Sequence, residues 1–139
     1  MSYPLLPPEY RPSNSEPFMN PMMREYFRQK LLRWKQDLLK ESNDTLQTLQ
    51  TESLQESDIG DRASIETEVS TELRARDRER KLISKIDEAL RRVSDGSYGY
   101  CEETGDPIGV KRLEARPIAT LSLEAQERHE RDERLRREH

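Results

Sequence analysis

Asp58-Ile59-Gly60-Asp61-Arg62-Ala63, followed further along by Glu72-Leu73-Arg74-Ala75-Arg76-Asp77-Arg78-Glu79-Arg80-Lys81, is the stretch whose reading decides the fold. The first part gathers carboxylates where two long helical patterns meet. Asp58 is placed to be an N-cap, and Asp61, three residues on, falls in the first turn, where a carboxylate favours the free N–H groups and the positive helix end. Together with Glu52 and Glu56 these residues make an acidic tip near residues 54–63. One reading of the cluster is a helix start and nothing more. The other is a negatively charged probe suited to a basic or metal-containing cavity.

Upstream of the tip, Asn20 is a candidate N-cap and Pro21 a first helical residue, where a missing N–H costs nothing. Phe27, Leu31, Trp34 and Leu38 then recur at alternating steps of four and three, and Thr45 and Leu49 continue the seam after a polar gap at Glu41-Ser42. Trp34 is in register with its neighbours and reads as core packing rather than a stacking platform. Downstream, Ile65, Val69, Leu73, Arg76, Ile83, Ile86, Leu90 and Val93 form a second seam, interrupted by Arg76 and Arg80 and stopping before Ser94-Asp95-Gly96, where glycine offers a C-terminal cap. Each helix is about 35 residues, so a hairpin of the two is about 50 Å long at 1.5 Å per residue.

The chain of 139 residues is 32% hydrophobic and 37% charged, which disfavours one spherical core and favours a narrow coiled-coil seam. A net charge of −4 and a pI near 5.4 argue against a general nucleic-acid binder. No apolar run reaches bilayer length, the N-terminus lacks the order of a signal peptide, and one cysteine forms no internal disulfide, so a cytoplasmic protein is expected.

The predicted organisation is mainly α. Residues 1–20 form an extended Pro-rich arm, 21–95 a long antiparallel helical hairpin, and 96–139 a small zinc-finger-like module with a C-terminal helix. In that module Tyr98 to Val110 places glycines and Pro107 among aromatic and β-branched residues, which predicts a knuckle turning at Thr104 to Pro107. From Leu121 to His139 acid-before-base pairs such as Glu127 with Arg131 and Glu130 with Arg134 support a solvated helix.

Asp58-x-x-Asp61-x-Ala63, Glu72 to Ile83, Gly99-Tyr100-Cys101-Glu102, Ile108-Gly109 and Arg112-Leu113-Glu114-Ala115-Arg116-Pro117 occur in an order that resembles the DksA/TraR family of bacterial RNA polymerase regulators, from about Met19 to the C-terminal helix. The resemblance implies a non-enzymatic, monomeric factor that binds no DNA. It enters the secondary channel of RNA polymerase and works with the alarmone ppGpp in the stringent response. It also implies roles by position: Asp58, Asp61 and Ala63 at the coiled-coil tip, Arg74 and Arg78 against the polymerase, and Leu82, Lys85 and Arg116 around ppGpp.

Family members with structural zinc carry Cys-x-x-Cys twice, whereas this chain has Cys101, Thr104, Ser122 and Ala125 at the matching places. One thiolate does not close a tetrahedral sulfur site, so zinc is not expected, and Tyr98, Tyr100, Ile108, Val110, Leu113, Leu121 and Leu123 are the candidates to hold the knuckle by packing. Ser122 is free to cap the terminal helix. A family lysine for ppGpp on that helix is Gln126 here, with Lys111 and Arg112 as candidate substitutes. Two other readings are a transcript-cleavage cofactor, whose tip carboxylates would recruit Mg²⁺, and a passive coiled-coil adaptor.

Overall fold

The computed structural model describes the backbone of residues 4–55 and 59–138, and the side chains of these except residues 45–65. The architecture is helical: α1 is Pro21–Gln55, α2 Ile59–Asp95, α3 Val110–Ala115 and α4 Leu123–Glu138. Among the described residues no strand forms, only an isolated antiparallel bridge between Tyr100 and Pro107. Among the described residues no helix is long and apolar enough to cross a membrane.

Local chemistry starts and stops these helices. Asn20 Oδ1 accepts from the Met23 N–H at 3.0 Å, and Pro21 opens α1 as the first helical residue. At the end of α2, Gly96 takes φ +88°, and the N–H groups of Gly96, Ser97 and Tyr98 all donate to the Arg92 carbonyl. Ser122 Oγ accepts from the Ala125 N–H at 3.2 Å and caps α4. α3 is a short turn of helix that the sequence pattern did not disclose.

The chain divides into two compact units, Leu32–Asp87 and Met1–Leu31 with Glu88–His139. In Leu32–Asp87 the helices run antiparallel, with Lys35 Nζ 2.7 Å from Asp87 Oδ1 and Arg76 Nε donating to Ser42 Oγ at 3.3 Å. Leu38 and Ile86 are buried, and Trp34 is half-buried in the seam, as its register predicts.

The seam of α2 differs from the expected one at two places. Leu73 is 47% exposed, while Val69, Glu72, Arg76, Glu79 and Ile83, with Ala75 and Leu82 beside them, are half-buried on the way to Ile86. Those positions keep the three-and-four spacing of a paired helix, so geometry carries the seam through charged residues instead of diverting it to the nearest leucine. Arg80 lies outside the seam at 76% side-chain exposure, and Arg76 and Glu79 are what make the middle of the seam polar. Arg76 lies half-buried along the seam, and its guanidinium reaches the Ser42 hydroxyl.

Among the described residues the other unit holds the larger core. Met23, Phe27 and Leu31 are fully buried on one stripe of α1, with Ala89 and Val93 of α2 and Tyr98, Ile108, Val110, Leu113, Ala119 and Ala125 also buried. Phe27 lies 5.7 Å from the Tyr98 ring, whose hydroxyl donates to the Pro117 carbonyl at 2.7 Å. Of the expected knuckle core, Leu123 stands 58% exposed at the start of α4 and Tyr100 is 37% exposed, while Ala125 and Ala119 take the inward places. A small residue fits where the helix start meets the knuckle, and leucine at the adjacent position faces water. Glu25 is buried within this unit and is held ionised by a two-pronged Arg28 bridge, both contacts 2.7 Å, which keeps its carboxyl below the usual range.

Candidate functional site

Arg74, Arg78, Leu82 and Lys85 recur along α2 at steps of four, four and three, which sets them on one side of the helix. The three cations are exposed and Leu82 is half-buried, so the stripe offers charge to a partner beside an apolar edge. Arg74 Nη2 donates to Ser70 Oγ at 3.3 Å. Arg116 belongs to the other unit. Its side chain is exposed, while its backbone is pinned as the C-cap of α3, donating to the Arg112 carbonyl and accepting from the Ala119 N–H. Arg112 is occupied: its Nε donates to the Leu121 carbonyl at 3.0 Å. Of the two candidate substitutes for the missing lysine, only Lys111 is exposed, and Gln126 Nε2 donates to Glu130 at 3.2 Å.

Asp58 lies outside the described residues. So do the side chains of Asp61 and Ala63, whose backbone belongs to the first turns of α2.

The knuckle is built around Cys101. Its N–H donates to the Asp106 carbonyl at 2.8 Å, its carbonyl accepts from the Gly105 N–H at 2.9 Å, and the Ile108 N–H closes the loop on the Gly99 carbonyl at 2.7 Å. The sulfur is buried, which pushes the thiol up. Hydrogen bonds from the Ser122 backbone N–H, the Thr104 hydroxyl, and the backbone N–H groups of Thr104 and Glu103 outweigh this and bring it down from 9.0 to about 6. The fold thus gathers the Cys101, Thr104 and Ser122 positions about one sulfur, as a metal knuckle would.

The donors do not fit a zinc ion. Thr104 Oγ1 accepts from the Asp106 N–H, Ser122 Oγ is spent on its cap, and Ala125 has no donor. Among the described residues no group of three or more His, Cys, Asp or Glu side chains converges as metal ligands. His129 Nε2 meets Glu103 Oε1, a contact between α4 and the knuckle. Elemental analysis of purified protein is expected to find well under one zinc per chain; a ratio near one overturns this.

A thiolate lowered in the folded state has a pH consequence. Its folded value lies below the unfolded one, so its contribution to stability is complete above about pH 9, falls as pH drops through the window between the two values, and is gone below about pH 6. The ultraviolet thiolate absorbance of the native protein should titrate with a midpoint near 6, and that of the urea-unfolded chain near 8.5. Coincident midpoints would sink the assignment.

A paired-helix hairpin joined to a metal-type knuckle, a short third helix and a solvated terminal helix define a mainly helical class of protein with a zinc-finger-like module. The chain belongs to the DksA family. The family model described as "DnaK suppressor protein DksA, N-terminal domain" matches residues 23–93, and "Prokaryotic dksA/traR C4-type zinc finger" matches residues 96–131. The chain is 65% identical over 130 residues to the "RNA polymerase-binding transcription factor DksA" of Caulobacter vibrioides, covering 94% of this chain and 92% of that one. It is 44% identical over 115 residues to the protein of the same description in Escherichia coli K12, covering 83% and 76%. The solved structure of transcription factor DksA2 from Pseudomonas aeruginosa superposes with a TM-score of 0.80 at 43% identity, over 86% of this chain and 95% of that one. Against the C4 description of the second family model, this chain retains a single thiol.

Proposed function

We propose that this chain is an RNA polymerase-binding transcription factor. It acts through the secondary channel, as a monomer in the cytoplasm, without catalysis of its own and without contacting DNA. The observation that carries the reading is the 65% identity over nearly the whole length with a protein described as an RNA polymerase-binding transcription factor. The physical features agree with it: a net charge of −4 does not recommend a DNA surface, and the α2 stripe of Arg74 and Arg78 offers guanidinium forks to carboxylates on a protein partner. The acidic residues Asp58 and Asp61 are proposed to act at the polymerase active centre, altering promoter-complex lifetime.

For the alarmone, Lys85 of α2 offers a point charge and Leu82 an apolar edge, and Arg116 of the other unit separately offers a planar fork, each suited to a guanine nucleotide bearing pyrophosphates in the complex with polymerase. Lys85→Ala and Arg116→Ala are each expected to remove most of the additional shortening of promoter-complex lifetime caused by ppGpp. Equal ppGpp responses in wild type and both variants would remove both assignments. Co-sedimentation with purified core polymerase tests the partner itself, and no association at micromolar concentrations refutes the proposed function.

A further inference from the structure

The knuckle holds one thiol where a closed metal site needs four ligands, yet Gly99, Cys101 and Ile108 are all buried and their hydrogen bonds are short. Something else keeps this loop shut. The residues before α1 are placed to do it.

Residues 4–20 are not a bare tether: they run through successive turns, closed by the Tyr10 N–H on the Pro7 carbonyl at 3.0 Å and the Asn20 N–H on the Pro17 carbonyl at 3.3 Å. Met19 takes φ +55°, the one such value at a non-glycine among the described residues. A side chain held there is strained, and such strain persists only where packing over-determines it. Here the turn lays Phe18 and Met19 directly on the knuckle. A Cβ built on Gly99 would stand 2.9 Å from Met19 Cε and 3.3 Å from Phe18 Cε1, so both side chains lie against a position whose φ of +93° favours glycine. The Phe18 ring also meets Tyr100 edge-on, with centroids 5.5 Å apart at 89°.

The other end of the arm is latched. Tyr10 Oη donates to Glu16 Oε1 at 2.8 Å, the Ser13 N–H donates to Glu16 Oε2 at 2.9 Å, and the Tyr10 ring stands 6.0 Å from that of Tyr26 on α1. Glu16 also accepts from the side chain of Asn20, the cap of α1, so the latch and the helix start share one carboxylate.

We propose that the N-terminal arm is a clasp, latched at Tyr10–Glu16 and closing through Phe18 and Met19 on Gly99 and Tyr100, which holds the knuckle in its folded form in place of a metal. The clasp ties the order of the knuckle, and with it the seating of α3, to a segment that a bound metal would render dispensable. It is independent of the proposed function, since it concerns how this unit stays closed whatever it binds.

The test is amide hydrogen exchange on the full-length protein. In Phe18→Ala, the N–H groups of Cys101, Glu102 and Ile108, which donate to Asp106, Thr120 and Gly99, are expected to exchange at least about tenfold faster than in wild type, while those of Trp34 to Leu38 keep their rates. Tyr10→Phe, which removes only the latching hydroxyl, should accelerate the same three amides by a smaller factor. EDTA should leave the wild-type rates unchanged. Knuckle amides indifferent to both substitutions would overturn the clasp, as would acceleration spread equally over Trp34 to Leu38, or acceleration of the wild-type knuckle by EDTA.

Discussion

Phe27→Ala is expected to destabilise the protein by about 3–5 kcal/mol, the range for truncating a fully buried aromatic ring. Phe27 has no exposed surface, and its ring centroid lies 5.2 Å from that of Tyr26 and 5.7 Å from that of Tyr98. Removing it takes a buried side chain from between Met23 and Leu31 on α1 and strips Tyr98 of an aromatic neighbour, while the Tyr98 hydroxyl remains fixed on Pro117 and limits how far the ring can move to fill the gap. Domains of this size are stable by only about 5–15 kcal/mol, so this one change should remove between about a fifth and the whole of that stability. Urea denaturation followed by tyrosine near-ultraviolet circular dichroism measures it. A loss below about 1 kcal/mol would mean that the site is not the packed core described.

Asp61→Asn is the substitution expected to matter most for regulation. The two side chains have nearly the same shape, so the exchange removes a charge and little else. As the third residue of α2, Asp61 contributes at most about 0.3–1 kcal/mol through the helix dipole, too little to unfold the hairpin. A hydrogen bond to a charged group is worth about 1.5–3 kcal/mol, so losing one such contact with polymerase corresponds to about a 10- to 150-fold weaker effect. Promoter-complex lifetimes should therefore return close to the factor-free value, while polymerase affinity, which we propose rests on the exposed arginines of α2, should change little. Regulation left intact in Asp61→Asn would refute the tip assignment and favour a passive adaptor. Shortened RNA in backtracked complexes on adding the wild-type protein would favour the transcript-cleavage reading.

Much of the fold was legible from spacing. Asn20, Pro21, Gly96 and Ser122 mark helix ends because capping is a contact between residues two to four apart, and such chemistry is written in the order of the chain. The stripe Phe27, Leu31, Leu38 and the pair Ile86, Val93 were readable for a similar reason, since a helix repeats its faces every three to four residues. The one-cysteine knuckle was equally plain, because its spacing is that of the family's four-thiol site with three ligands replaced.

The tertiary structure decided what sequence spacing left open. The charged middle of the α2 seam runs through Glu72, Arg76 and Glu79, where hydropathy pointed to Leu73, because the phase of a paired helix is set by its partner and not by the nearest apolar residue. Arg24 reaches the Val93 carbonyl 69 residues away, Lys30 bridges Glu114 across 84, and Phe18 seats on Tyr100 only once Met19 turns back on itself. The lowered Cys101 thiol likewise depends on N–H groups from Glu103, Thr104 and Ser122, the last of them beyond α3 in the chain. Periodicity and capping report on neighbours along one helix. Contacts across such distances exist only after the chain has closed on itself, and no local pattern encodes which of several available aromatic or charged residues will meet.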